Sequence, residues 1–197
     1  AALLQCGADL ADEVGRLEAL SSYLVAGTAP ESRFDNITQL AAKLFDAPIA
    51  YLSLIEADRQ WLKARVGLDF VETPRCESFC AHAIASDEVL VVPDATLDPR
   101  FAASRLVIEE PHVRFYAGAP LVTRAGFRIG ALAVLDTKLR EPLDKGRLEL
   151  LRQSGTPIPE KPTLGQLRAR SDQLLNSLKA DGRRREAEAL GKARSSF

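Results

Sequence analysis

Residues 76–84 read CESFCAHAI. Two thiols four residues apart, with an imidazole two residues further on, could ligate a metal, exchange a disulfide, or simply pack inside a helix. Metal ligation needs Cys76, Cys80 and His82 to converge. On a helix, positions four apart are neighbours, so the cysteines can meet but His82 points away. The other histidine, His112, precedes a different strand, and structural zinc favours two pairs of ligands at short spacing. No metal is expected. A Cys76–Cys80 disulfide requires a distorted helix. A helix N-terminus, helped by Arg75, would favour the thiolate of Cys76, so a thiol switch on Cys76 and Cys80 stands as an alternative. In the packing reading Phe79, Cys80, Ala83 and Ile84 share one face, with Cys80 acting as a small hydrophobe and His82 turned toward the other side.

The elements that would position this stretch are legible around it. Residues 10–24 repeat apolar side chains at Leu10, Val14, Leu17 and Leu24, with Ser21 between, which draws one stripe along a helix. That stripe could pack on its own domain or on a second copy of the chain, and two heptads are too short for a coiled coil. Thr28 and Glu31 have capping-box spacing with Pro30 in the first turn, and Phe34, Ile37, Leu40, Ala41, Leu44 and Phe45 form the expected buried face of a second helix ended by Pro48. Residues 49–55 are a nearly continuous apolar run, as in a strand covered on both faces. EADRQ then turns into WLKARVG, where alternation puts Trp61, Lys63 and Arg65 on one side and Leu62, Ala64 and Val66 on the other.

Residues 68–112 are irregular apart from the helix of CESFCAHAIAS, a short strand in EVLVVPDA and a helical turn or two in DPRFAASRLV. A stretch of that length is usually a functional loop or a binding-site wall. RFYAGAPLVTRAGFRIGALAVLDT is a second hairpin turning at TRAG, with Leu132, Val134 and Leu135 on a buried strand. A helix resumes over 142–153. SGTPIPEKP is a Pro-rich linker, and 163–180 again shows heptad-like spacing at Leu164, Leu167, Ser171, Leu174 and Leu178. Two antiparallel hairpins between terminal helices make an α+β fold.

This ordered series, from TAPESRFDNITQLAAKLFDAPIAYLSLIEADRQWLKARVGLD through ETPRCESFCAHAI and VVPDATLDPRFA to VRFYAGAPLVTRAGFRIGALAVLD, resembles the bacterial GAF domain joined to sensor histidine kinases and diguanylate cyclases. The resemblance implies a five- or six-stranded antiparallel sheet, terminal helices on one face, and a loop and short-helix roof over a pocket on the other. It divides the chain into a helical lead-in (1–15), the domain (16–153), a linker (154–162) and a helical extension (163–197). It also implies a signalling module that pairs through its terminal helices. Bilin-binding relatives carry cysteine followed directly by histidine. Here Ala81 intervenes, so a covalent bilin is not expected and the cofactor is left unknown. Relatives that reduce free methionine sulfoxide carry a glycine-flanked cysteine motif, which is not visible here. The ligand wall expected from the resemblance is Trp61, Phe79, Cys80, Asp94, Phe101, Tyr116 and Leu132, with Asp94 and Tyr116 as polar handles. Beyond residue 160 there is no phospho-acceptor motif, ATP-binding box or GGDEF-like signature.

Composition narrows the classes further. A net charge of -1 with 27% charged residues points to neither nucleic acid nor an anionic membrane, and no apolar run approaches a membrane span. Arg183–Arg185 are offset by Glu186 and Glu188. Three cysteines give no disulfide framework and suit a reducing cytoplasm. The chain has no Met and reads as a segment of something larger. The expectation is a cytoplasmic, non-catalytic sensory or regulatory domain of a two-component type, homodimeric through Leu10, Val14, Leu17 and Leu24, and open to a small ligand. A thiol-based redox sensor, a methionine-sulfoxide-reductase-like enzyme and a ligand-free dimerisation module are the alternatives.

Overall fold

The computed structural model describes residues 12–23 and 29–154, all within the first of the two units, Ala1–Pro159 and Glu160–Phe197, into which the chain divides. The expected helix over 163–180, the Pro-rich linker beyond Ser154, Leu10, Leu24 and Thr28 lie outside the described residues, and Ser154 itself ends the last described helix.

A six-stranded antiparallel sheet runs β3-β2-β1-β6-β5-β4. Its strands are β1 (Ile49–Ile55), β2 (Arg59–Val66), β3 (Glu72–Pro74), β4 (Leu90–Val92), β5 (Phe115–Val122) and β6 (Arg128–Asp136). β1 and β6 are central, and every residue of β1 is buried, as its unbroken apolar run requires. The edge strands β3 and β4 have three residues each, and β3 falls inside the segment read as irregular.

One face of the sheet carries α1 (Glu13–Tyr23), α2 (Ser32–Leu44) and α5 (Lys145–Ser154). Leu20, Tyr23, Phe34, Ala41, Ala42 and Leu151 from these helices meet Ala50, Leu52, Leu54, Phe115, Ala117, Leu121, Leu132 and Val134 from the strands. The opposite face carries α3 (Phe79–Ala83), preceded by a 3-10 turn at Arg75–Glu77, and α4 (Arg105–Ile108) with its flanking loops. Together these form a roof over Tyr51, Ile55, Leu62, Tyr116, Ala131, Ala133 and Leu135. Alternate residues of the same strands therefore serve two separate cores.

Four local expectations are corrected. α2 begins at Ser32 with Glu31 as N-cap and no side-chain cap bond, so Glu31 is not the third helical residue that a capping box requires, and Pro30 precedes the helix. Leu40 and Leu44 are 54% and 45% exposed, because α2 turns Phe34, Thr38, Ala41 and Ala42 to the sheet. The alternation over 61–66 breaks at Lys63. Leu62 pairs with Ser53 while Ala64 pairs with Leu52, so Lys63 is a bulge residue. Trp61, Ala64 and Val66 consequently share the helix face, and Leu62 alone of that set lies under the roof. Lys63 is buried, and its Nζ reaches the start of α2, donating to the Ala29 carbonyl at 2.8 Å and pairing with Glu31 at 3.0 Å. Finally, α1 buries Arg16, Leu20 and Tyr23. The stripe read from sequence, represented here by Val14 (69% exposed), half-buried Leu17 and exposed Ser21, faces away from the sheet.

Candidate functional site

The roof core holds a polar cluster inside an aromatic shell. Ser78, not Cys76, opens α3. It is the N-cap, and its Oγ accepts from the Ala81 N–H at 3.0 Å. The same hydroxyl donates to Gln60 Oε1 from β2, which fixes α3 to the sheet. Starting the helix at Phe79 turns Cys80 inward, where it is fully buried. Its Sγ lies 3.2 Å from Tyr116 Oη and donates to Tyr51 Oη at 3.7 Å. Ser53, two residues along β1 from Tyr51, completes the group and donates to the Ala131 carbonyl at 3.4 Å.

Burial pushes the Cys80 thiol above its usual pKa, against hydrogen bonds from Ser53, Tyr116 and Tyr51 that lower it. Both tyrosines are pushed well above the ordinary phenol value, first by burial and then by the neighbouring Cys80. The cluster is therefore neutral: three weak acids that share hydrogen bonds and resist ionisation.

Aromatic rings surround it. Phe79 stacks on Phe101 with centroids 4.1 Å apart and on Tyr116 at 5.0 Å. His82 meets the edge of Phe101 at 5.0 Å. Its burial lowers its pKa, with the Arg100 charge adding and Asp98 opposing. Gly118 leaves the space that the Tyr116 hydroxyl occupies, since a Cβ there would overlap that oxygen.

Of the ligand wall expected from sequence, Phe79, Cys80, Phe101 and Tyr116 come together in this core. The other three do not. Trp61 and Leu132 lie on the helix face, on the far side of the sheet from Cys80. Asp94 closes a turn, accepting from Thr96 N at 2.9 Å and Thr96 Oγ1 at 2.6 Å, and those bonds lower its pKa. Cys76 and Cys80 are not helical neighbours, because Cys76 sits in the preceding 3-10 turn and is exposed while Cys80 is sealed inside. Nor is Arg75 turned to Cys76: its guanidinium is buried against Glu13 and the carbonyls of Glu56 and Ala57. Arg114 and Arg128 are held by backbone carbonyls, with Arg128 also on Asp87.

Sequence reasoning missed Tyr51, Ser53, Gln60 and Ser78. The available signal was Tyr51 and Ser53 at alternate positions of an otherwise apolar strand, which places both hydroxyls on one face. Among the described residues, no group of three His, Cys, Asp or Glu side chains could hold a metal ion, and no helix is long and apolar enough to cross a membrane. A surface cavity of about 380 Å³ lies elsewhere, between the segment entering β4 and α5. Its Asp87 is paired with Arg128 and its Glu149 with Arg152, so three of its lining charges are already engaged in ion pairs.

A family model for the GAF domain matches residues 29–157. A cyclic di-GMP phosphodiesterase of Pseudomonas aeruginosa is 47% identical over 118 residues, which is 60% of this chain and 20% of that protein. This chain thus spans about a fifth of its curated relative. Among solved structures, the GAF domain of an Acinetobacter phosphoenolpyruvate-protein phosphotransferase superposes with a TM-score of 0.54 at 16% identity, over 74% of this chain and 89% of that one. The free methionine-R-sulfoxide reductase of Neisseria meningitidis superposes with a TM-score of 0.52 at 20% identity, over 71% and 81%. At these identities the two solved structures speak to fold alone.

Proposed function

Because the chain belongs to the GAF domain family, we propose that it is a non-catalytic sensory domain of a signal-transduction protein, that it takes a small ligand between sheet and roof, and that it pairs with a second copy through α1. The observation that carries the ligand reading is the buried trio Tyr51, Cys80 and Tyr116. Burying polar groups is costly unless they are hydrogen-bonded. A sheet face that needed only to be packed would be filled by hydrocarbon, as β1, β5 and β6 fill theirs toward the helices. A few convergent polar groups in an aromatic wall are the usual makeup of a small-molecule site. The ligand would be largely apolar and planar, with one or two polar atoms to exchange hydrogen bonds with the phenols. It would take the space now filled by the stacked Phe79 and Phe101, which requires the roof to move outward. The resemblance to a cyclic di-GMP phosphodiesterase makes turnover of that dinucleotide the output we would assign to the parent protein.

The pairing reading rests on Val14 and Leu17, an apolar stripe that α1 turns away from its own sheet. The thiol alternative keeps one supporting feature, the exposure of Cys76, but its second thiol, Cys80, is sealed and held protonated. The test is native mass spectrometry of the protein purified from its own host. A dimer carrying added mass that disappears in Tyr116→Phe is expected. A dimer of bare polypeptide mass would count against the ligand and leave an assembly module.

A further inference from the structure

One charged cluster has no part in the roof core, yet it touches the roof, the sheet and the terminal helix at once. Arg16 of α1 is 3% exposed, and Arg75, at the entrance to the roof, is 8% exposed. Between them stands the Glu13 carboxylate. Arg16 grips it with two bonds, Nε to Oε2 at 2.8 Å and Nη2 to Oε1 at 2.7 Å, and sends its Nη1 to the Ile55 carbonyl at 2.6 Å. Arg75 Nη1 reaches Glu13 Oε1 at 2.5 Å and the Glu56 and Ala57 carbonyls at 3.2 and 3.4 Å. The Arg75 backbone N–H donates to the Asp58 carbonyl at 2.9 Å. All of this meets at the turn between β1 and β2.

Two features separate the cluster from ordinary packing. A buried ion pair is weak evidence for stability, because desolvation offsets most of the attraction and apolar residues often do as well. Such pairs are better attested where they fix a register or a switch. The cluster is also incompletely satisfied: Arg75 Nε is buried with no hydrogen-bond partner. An orphaned donor beside a strong ion pair marks an arrangement that a small movement could rearrange.

Position decides what would move. Arg75 is three residues before Ser78, the cap of α3, and the Ser78 N–H donates to the Arg75 carbonyl at 3.1 Å. Displacing α3 outward therefore pulls on Arg75. Glu13 is the first residue of α1, the helix whose outer stripe is free of its own sheet.

We propose that Glu13, held between Arg16 and Arg75, is a latch that makes the placement of α1 depend on the placement of the roof. With the latch closed, both elements are tied to the β1–β2 turn. When the roof shifts, Arg75 withdraws and α1 is held on that side by Arg16 alone. The proposal goes beyond the ligand reading: the coupling belongs to the unliganded chain and stands whether or not anything binds.

Hydrogen exchange read by mass spectrometry on the full chain tests it, with Glu13→Gln and Arg75→Gln. Each change is made in one element and read in the other. Glu13→Gln should speed exchange at 75–84, and Arg75→Gln should speed exchange at 13–23, each by about tenfold, while β5 and β6 keep their wild-type protection. The double variant should exceed either single one by little, as expected for one shared contact. Roof amides that exchange at the wild-type rate in Glu13→Gln would overturn the latch. That arm decides alone if Arg75→Gln does not fold, since Glu13 is partly exposed and its glutamine is close to isosteric.

Discussion

The two faces of one sheet differ in what they bury. Toward the helices, β1, β5 and β6 present Ala50, Leu52, Leu54, Phe115, Ala117, Leu121, Leu132 and Val134, all without a polar side-chain atom. Toward the roof, the same strands present Tyr51, Ser53 and Tyr116 around Cys80, with Gln60 and Ser78 beside them. The helix face is closed by long elements, the roof by helices of four and five residues joined by loops. One side is a foundation, and the other keeps hydrogen-bonding groups dry under a cover of little regular structure. Low local stability and buried polarity are found where ligands enter and lids move.

The largest expected effect comes from disturbing the foundation. Leu132→Ala should destabilise the fold by about 2–5 kcal/mol, because a fully buried leucine leaves both a transfer loss and a cavity. Urea unfolding measures it. Any bound mass should survive, since Leu132 lies across the sheet from Cys80. Loss of the mass in a folded Leu132→Ala protein would mean that the faces are not independent.

This comparison also shows where sequence reading stops. The strand 49–55 was legible because seven consecutive buried residues leave a run that only a doubly covered strand explains. The roof group Phe79, Cys80, Phe101 and Tyr116 was legible through the resemblance. Leu132 was misplaced because GALAVL is apolar at every position, so alternation carries no phase to say which residues face which core. Trp61 was misplaced because its face depends on sheet register, and the neighbouring bulge at Lys63 is announced by nothing in WLKARV. Arg16 falls off the apolar stripe of residues 10–24, on what periodicity reads as the polar side of the helix. Its burial depends on Glu13, whose carboxylate Arg75 also grips, and on the Ile55 carbonyl, which lies far away in sequence. Periodicity finds faces; it does not find a charge whose partners are brought in by the fold.

A middle-sized effect should separate the faces by chemistry. Tyr116→Phe removes the hydroxyl beside Cys80 and should cost about 1 kcal/mol in urea unfolding. The more telling measurement is stability in alkali. Cys80, Tyr51 and Tyr116 have folded pKa values raised above their ordinary 9.0 and 10.0. In the unfolded chain they release protons at those ordinary values, while in the folded chain they stay neutral. Their contribution is thus fully present below about pH 9 and is lost as pH rises toward the raised values. Wild-type stability should fall from about pH 9 upward, and the fall should be shallower in a Tyr51→Phe, Tyr116→Phe double variant. Alkaline limbs that superimpose would mean that the roof core is open to water, contrary to its burial.

The smallest effect on the monomer should come from the outer stripe of α1, and there a near-zero result is informative. Val14 is 69% exposed, so Val14→Lys should change unfolding stability by no more than about 0.5 kcal/mol. Lys at 14 stands four residues before Glu18, a spacing that tolerates the new charge on a helix surface. If α1 pairs with a second copy, the same substitution buries a charge at the seam, and the sedimentation coefficient should drop to that of a monomer. A dimer that survived Val14→Lys and Leu17→Lys together would move the interface off this helix, leaving α1 attached to the roof by its latch but with no partner for its outer stripe. The pair of measurements separates two properties of one helix: its inner face, through Arg16, Leu20 and Tyr23, holds the fold, and its outer face, through Val14 and Leu17, is where association would register a change in the roof.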